Sequence, residues 1–329
     1  MDRKEKRALE LGEILTSIQD DLDKVKDNLT SLTRVDFDWL SEQLGYVVKS
    51  DGKGIRPALT LLAGKFYRYN LGYMLAMATA VELMHTATLV HDDAIDKSNV
   101  RRGKATIYKI WGGETAILLG DYLFAKAGEA VSDTQSPRVI KLFSQTLATI
   151  SSGEINQLLG AFKTDQTRED YFQRISGKTA SLFSLSTESG AILSEAPETS
   201  VNLLKEYGFN LGIAFQVVDD ILDFVSTEQT LGKPVGSDLA QGTLTLPAML
   251  LVEHYPQDNP IKKVFQNIDR EKNIARAIDM VRNSSITDEC YKIASGYCHK
   301  ARQTLSQLPE NSSRPVMEAL ADFIITRAK

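Results

Sequence analysis

The chain has 329 residues, 43% hydrophobic and 25% charged, ample for a large core in one big domain or two smaller ones. Its net charge of −5 offers no general attraction to nucleic acid or to an anionic membrane, so any basic groups that matter act locally. Cys290 and Cys298 fit neither a CxxC pair nor a zinc ribbon and read as core thiols of a reducing, cytoplasmic protein.

The opening MDRKEKRALELGEIL is charged and lacks the apolar stretch of a signal peptide. Leu11, Ile14, Leu15, Ile18, Leu22, Val25 and Leu29 then form a helix-period stripe. Similar patterns predict helices over 36–49, 55–68, 72–93, 114–132, 136–160, 168–194 and 197–226. Shorter ones follow at 243–254, 270–283, 286–308 and 312–327, and no run of alternating β-branched residues stands out. Breaks fall at Asp51-Gly52-Lys53-Gly54, Gly112-Gly113, Ser136-Pro137 and Leu231 to Gly242. The most apolar window, LAMATAVELMHTATLV, is interrupted by Glu82 and His85 and is too short to span a bilayer. The expectation is one all-α helical bundle over residues 1–329.

Two stretches carry the chemistry. LVHDDAID places Asp92, Asp93 and Asp96 on a predicted helix, with Asp92 and Asp96 one turn apart on one face. VVDDILD repeats the spacing with Asp219, Asp220 and Asp223. Like charges this close repel unless a cation sits among them, and oxygen-only ligands favour Mg²⁺. The bland alternative, a solvated acidic face, describes Asp20, Asp21 and Asp23, which sit between lysines and other polar residues; each DDxxD instead follows an apolar run. Mg²⁺ takes one or two carboxylates and completes its shell with phosphates, so two facing triads would clamp a diphosphate. The basic residues for such a ligand stand nearby: Lys53 and Arg56 in DGKGIRP, Arg101 and Arg102 after the first triad, Lys178 in GKTASLF, and Lys233 in LGKPVGSD.

In this order, the motifs GKxxRP, ELMHTATLVHDDxxDxxxxRRG, GEINQL, GKTASLF, FQVVDDILD and LGKPVGSDL resemble those of the trans-isoprenyl diphosphate synthases, the polyprenyl synthetases. The likeness runs from about residue 45 to about 250. It implies an all-α isoprenoid synthase fold around a central apolar tunnel. It also implies two or three Mg²⁺ ions, bound with the substrate diphosphate by Asp92, Asp93, Asp96, Asp219, Asp220 and Asp223. Arg101, Lys178 and Lys233, helped by Thr179 and Gln216, would stabilise the departing allylic diphosphate. Lys53, Arg56, His85 and Arg102 would bind the diphosphate of isopentenyl diphosphate. The released diphosphate serves as base, so no protein base is named. His91 is read as a supporting residue, and Glu154 and Gln157 as interior hydrogen-bonding groups. Two departures stand out: the family's GGKRxRP lacks its first Gly and its second cation here, and Thr243 follows Gly242 where many members have Lys.

In this family the growing chain runs beside the first motif's helix, where upstream aromatics stop it short. Here Ala87 and Thr88 are small, with Met84 behind them, and Met74 to Asp92 spans about 27 Å of helix at ~1.5 Å per residue. The expected product is therefore at least C20, in the C30–C50 range. Leu123 and Phe124 are candidates for the tunnel floor. The likeness further implies a homodimer through the apolar 114–132 stretch and transient membrane-surface contact for product release. A terpene cyclase and a head-to-head synthase fit the second acidic motif less well. A subunit of a heteromeric synthase, inactive alone, is the alternative.

Overall fold

The computed structural model describes residues 10–48 and 52–327. Asp51 of DGKGIRP and the charged first nine residues lie outside them. The chain begins with α1 (Leu11–Ile14), a tight 3₁₀ turn over Thr16–Ile18, and α2 (Gln19–Ser31), so the stripe predicted from Leu11 to Leu29 breaks at Leu15. Then come α3 (Asp38–Val48), α4 (Ile55–Gly64) and α5 (Leu71–Ile95). A two-residue ribbon follows, β1 (Val100–Arg101) against β2 (Lys104–Ala105). Next are α6 (Ile107–Ser132), α7 (Pro137–Gly160) and α8 (Arg168–Ile175). A π-helical turn over Ser176–Ala180 leads to α9 (Ser181–Leu193) and α10 (Glu198–Val225). Past α11 (Glu228–Leu231) and α12 (Ser237–Ala240) lie α13 (Leu246–His254), α14 (Pro260–Phe265), α15 (Arg270–Arg282), α16 (Ile286–Leu305) and α17 (Ser313–Thr326). The helical expectation holds, and the β1–β2 ribbon adds strands where none were expected.

Local chemistry sets these boundaries. Asn70 caps α5 by accepting from the Tyr73 amide, and Ser136 caps α7 with Pro137 in its first turn. Thr167 and Asp170 form a capping box on α8. Within α6, Gly112 sits at φ 88°, outside helical space, so the helix bends there. The segment expected to be one helix over 168–194 is interrupted by the π turn that carries Lys178 and Thr179.

Three helices organise the interior: α9 packs against both α5 and α10, α5 also against α6 and α4, and α10 against α16. Gly190, Gly208 and Gly212 allow the approach, since a Cβ on Gly190 would lie 2.4 Å from the Thr60 carbonyl oxygen. By length and composition α5 could cross a membrane, more than the interrupted window implied, but over half of its apolar stretch is buried against its neighbours. Cys290 and Cys298 are buried free thiols, as expected. Asp21 departs from the surface assignment: Tyr69 donates to it at 2.8 Å and Lys65 pairs with it at 3.0 Å.

Candidate active site

The C-terminal end of α5 forms one wall of a cleft. Asp92 and Asp96 share a face, and Asp93 points elsewhere, onto Arg101 Nε at 2.8 Å with its side chain 8% exposed. Lys178 reaches in from the π turn, 3.4 Å from Asp92 and 2.5 Å from Glu154 of α7. Burial alone would push the Lys178 pKa down; the Asp92 and Glu154 carboxylates reverse this and hold it above the ordinary lysine value. Burial also raises the Asp96 carboxyl, and Asp92 and Asp238 add repulsion to it. An acidic field therefore spans the cleft from α5 to Asp238 of α12.

The second triad divides in the same way. Asp219 is half exposed on α10, whereas Asp220 and Asp223 are 2% and 1% exposed. Tyr171 donates to one Asp220 oxygen at 2.7 Å and Gln216 to the other at 2.8 Å. Gln216 in turn accepts from Thr179 at 2.6 Å, tying the π turn to α10. Burial and then Asp238 push the Asp220 carboxyl up to about 7. Asp223 accepts from Ser237 at 3.0 Å and from the Asp238 amide at 3.2 Å, and pairs with Lys233 at 3.2 Å. The six aspartates expected to hold metal therefore stand in different surroundings. Asp220 and Asp223 have both oxygens held by protein donors, whereas Asp93 meets Arg101, Asp92 meets Lys178 and Asp219 meets Arg327 through one oxygen each. A DDxxD spacing puts only part of each triad on the open face of its helix.

Between the walls lies a cationic pocket. Arg102 and Gly103 form the β1–β2 turn with φ of 50° and 74°, a positive-φ pair that projects Arg102 from the ribbon. Gly232 packs on this turn, and a Cβ there would lie 2.7 Å from the Arg102 Cα. The Arg56 guanidinium stacks 4.8 Å from the Phe183 ring, its Nε is buried without a partner, and burial pushes its pKa down to about 10. Burial, with Arg56, Arg102 and Arg101 adding to it, lowers His85 well below the usual histidine value, so it is a neutral hydrogen-bonding group. Burial and Arg327 lower Lys53 in the same way.

Arg327, after α17, was invisible to motif reading. Its side chain is 6% exposed, pairs with Asp219 at 3.1 Å and lies 3.9 Å over the Phe215 ring. A lone Arg closing the apolar run ADFII was the available signal. Nothing in DYFQRI marks Tyr171 as a donor, and in LGKPVGSD the lysine and not Asp238 carries the sequence signal. His91 matches its supporting role, sharing a 2.9 Å hydrogen bond with the Ile117 carbonyl and meeting Phe124 edge-on. Glu154 does bond in the interior, to Lys178; Gln157 is half-buried on α7. Met84 and Ala87 are buried, and Thr88 donates to the His85 carbonyl. A cavity of about 410 Å³ follows another face of α5, along Glu82, His85, Thr86, Leu89, Val90 and Asp93, and not the Met84–Ala87–Thr88 face assigned to the growing chain.

All the donors are oxygens, arranged on two walls. Among the described residues no three acidic, histidine or cysteine side chains close on one point. This suits an ion that takes one or two carboxylates and leaves room for water and phosphate, and it would not enclose a metal with protein ligands alone.

Comparison with known proteins agrees with this geometry. Residues 37–281 match the polyprenyl synthetase family model. A heptaprenyl diphosphate synthase component 2 of Geobacillus stearothermophilus is 35% identical over 96% of this chain and 98% of its own length. Solanesyl-diphosphate synthase 2 of rice chloroplasts (Oryza sativa subsp. japonica) is 36% identical over 97% of this chain and 80% of its own. A polyprenyl synthase from Caulobacter crescentus, solved with calcium and isoprenyl diphosphate, superposes with a TM-score of 0.93, at 31% identity and 98% and 100% coverage. The chain belongs to the polyprenyl synthetase family. It is a prenyltransferase that joins an allylic diphosphate to isopentenyl diphosphate.

Proposed function

We propose that this chain makes a long-chain trans-polyprenyl diphosphate, at least C20 and in the C30–C50 range, in the cleft between α5 and α10. Its heptaprenyl and solanesyl diphosphate synthase relatives support that length. The reading rests on one observation above all: carboxylates on two walls, Asp92 and Asp96 on α5 and Asp219 on α10, with Lys178 and Lys233 among them. Asp92, Asp96 and Asp219 would hold two or three Mg²⁺ ions; the calcium and isoprenyl diphosphate in the Caulobacter structure favour a divalent cation with a diphosphate in this fold. Bound Mg²⁺ supplies Lewis-acid neutralisation of charge on the departing diphosphate. Lys178 and Lys233, kept charged by their carboxylate neighbours, add fixed positive charge there. Gln216 and Thr179 fix the π turn that carries Lys178. Lys53, Arg56, His85 and Arg102 hold the diphosphate of isopentenyl diphosphate, with Arg101 braced by Asp93 beside them. The protein works as a cytoplasmic homodimer: Ile117 and Leu118 of α6 and Ile155, Leu158 and Leu159 of α7 are exposed apolar groups suited to a subunit interface, and product leaves by transient contact with a membrane surface.

Purified protein incubated with isopentenyl diphosphate, farnesyl or geranylgeranyl diphosphate and Mg²⁺ should give a ladder ending at one long polyprenol after dephosphorylation and mass spectrometry. EDTA should abolish it, and Asp92→Ala and Asp219→Ala should each lower kcat by roughly 10²–10³, the usual effect of removing a charge-stabilising group. The Geobacillus relative's designation as a component 2 favours one second reading, a catalytic subunit that needs a second polypeptide. Silence with every primer, relieved by a second polypeptide, would establish that reading instead.

A further inference from the structure

The cavity of about 410 Å³ beside α5 joins two unlike halves. One end carries Lys53, Arg101, Arg102 and Lys104, outnumbering Glu82 and Asp93, around the neutral His85. The other runs between α5 and the N-terminal helices, walled by Leu15, Leu22 and Val25 on one side and by Leu89 and Val90 on the other. Leu15, Leu22 and Val25 are buried, while Lys26 and Thr30 at the rim reach solvent, so this half is an apolar slot between the helices that opens at its outer edge. The five-carbon tail of isopentenyl diphosphate has no use for an apolar recess reaching α1 and α2. The recess also follows a different face of α5 from Met84, Ala87 and Thr88. A basic mouth with a long apolar end complements an amphiphile with a polyanionic head and a hydrocarbon tail.

We propose that this annex binds long-chain polyprenyl diphosphates. The head takes the diphosphate pocket of isopentenyl diphosphate and the tail lies between α2 and α5. A long-chain diphosphate seated this way excludes isopentenyl diphosphate and so halts elongation without entering the allylic site. The inference rests on the residue assignment under Proposed function, and its test separates the two.

The probe is phytanyl diphosphate, a saturated C20 diphosphate that cannot ionise as a primer. With wild-type protein it should inhibit competitively against isopentenyl diphosphate. Its Ki should lie at least roughly a hundredfold below that of saturated isopentyl diphosphate, because each buried CH₂ strengthens binding several-fold. Leu15→Phe and Val25→Phe, which fill the recess, should each raise the phytanyl Ki about tenfold or more, with kcat and the KM for isopentenyl diphosphate within about twofold of wild type. Inhibition competitive only with the allylic primer and unchanged in both variants would overturn the proposal. So would a shortened product ladder from the variants, which would place the growing chain itself in the recess. Should either variant fail to fold, the comparison of C20 with C5 probes on wild-type protein decides alone. If the wild type turns over no substrate, the enzymatic reading fails, and calorimetric titration of phytanyl diphosphate without Mg²⁺ still decides the annex.

Discussion

Asp219 and Asp220 are neighbours in sequence with opposite surroundings, and the difference comes from what reaches them. Asp219 meets solvent and Arg327; Asp220 meets the Tyr171 hydroxyl and the Gln216 amide in the interior. Tyr171→Phe removes one of the two donors and leaves a buried carboxylate oxygen short of a partner. It should cost about 1–3 kcal/mol in denaturant unfolding. Because Asp220 is tied through Gln216 to Thr179, the variant should also lower kcat while leaving the KM for isopentenyl diphosphate unchanged; a shift in that KM with kcat intact would refute the bracing role. Asp21 supplies a titration test far from the cleft. Burial works against its ionisation, but Tyr69 and Lys65 outweigh it, and the carboxyl ends below its ordinary value of 3.8. A depressed carboxyl contributes stability above that value and loses it as pH falls through the folded-state pKa. Asp21→Asn should therefore unfold at lower temperature than wild type at pH 7, with the gap closing below about pH 4. A gap independent of pH would mean that shape, not charge, holds the residue.

At the scale of elements, the β1–β2 ribbon ties the two halves of the site together. Its Arg102-Gly103 tip lies on Gly232 of the loop that carries Lys233, and the Gly103 amide points to the Gly232 carbonyl at 3.4 Å. Gly232 has a φ of 66° and no room for a Cβ against the Arg102 backbone. Gly232→Ala should therefore push ribbon and loop apart, raising the KM for isopentenyl diphosphate through Arg102 and lowering kcat through Lys233, while Gly296→Ala, with open space around it, should do neither. Steady-state kinetics on the pair checks this; equal behaviour would show that the contact is incidental. The ribbon also shows where sequence reading stops. Helix stripes are written in local spacing, so α5, α7 and α10 were legible within a few residues, as were the aspartates on them. A two-residue strand has no period to read, and RRG looked only like a basic pair. Which aspartate of each DDxxD faces the cleft depends on the rotation of its helix against α8, α9 and the loop after α10. Tyr171, Arg327 and Asp238 reach the triads from as far as 108 residues away in the chain. The same rotation explains why the cavity lies along His85 and Leu89 and not along Ala87.

For the whole molecule, the acidic groups are split between two walls and the basic groups lie among and beyond them, so neither set is complete without a ligand. Asp92 and Asp96 repel each other, Asp238 repels Asp96, and burial deepens the cost on both walls. A divalent cation alone meets one or two carboxylates per site and keeps its water, so it should bind weakly. Diphosphate alone finds Lys53, Arg102, Lys178 and Lys233 but also faces the carboxylates of Asp92, Asp96 and Asp219. Together they satisfy both sets, and a ligand pair that binds only the folded state raises its stability by mass action. Thermal unfolding should therefore show small shifts with Mg²⁺ or inorganic diphosphate separately and a shift clearly above their sum with both. EDTA should return the midpoint to its starting value. Asp92→Asn with Asp219→Asn should abolish the excess while leaving the shift from diphosphate alone equal or larger, since removing negative charge favours the bare anion. If diphosphate by itself shifts the midpoint as far as the mixture does, the aspartates are not joined to the anion through a cation, and the two-walled clamp is the wrong account of why this chain carries DDxxD twice.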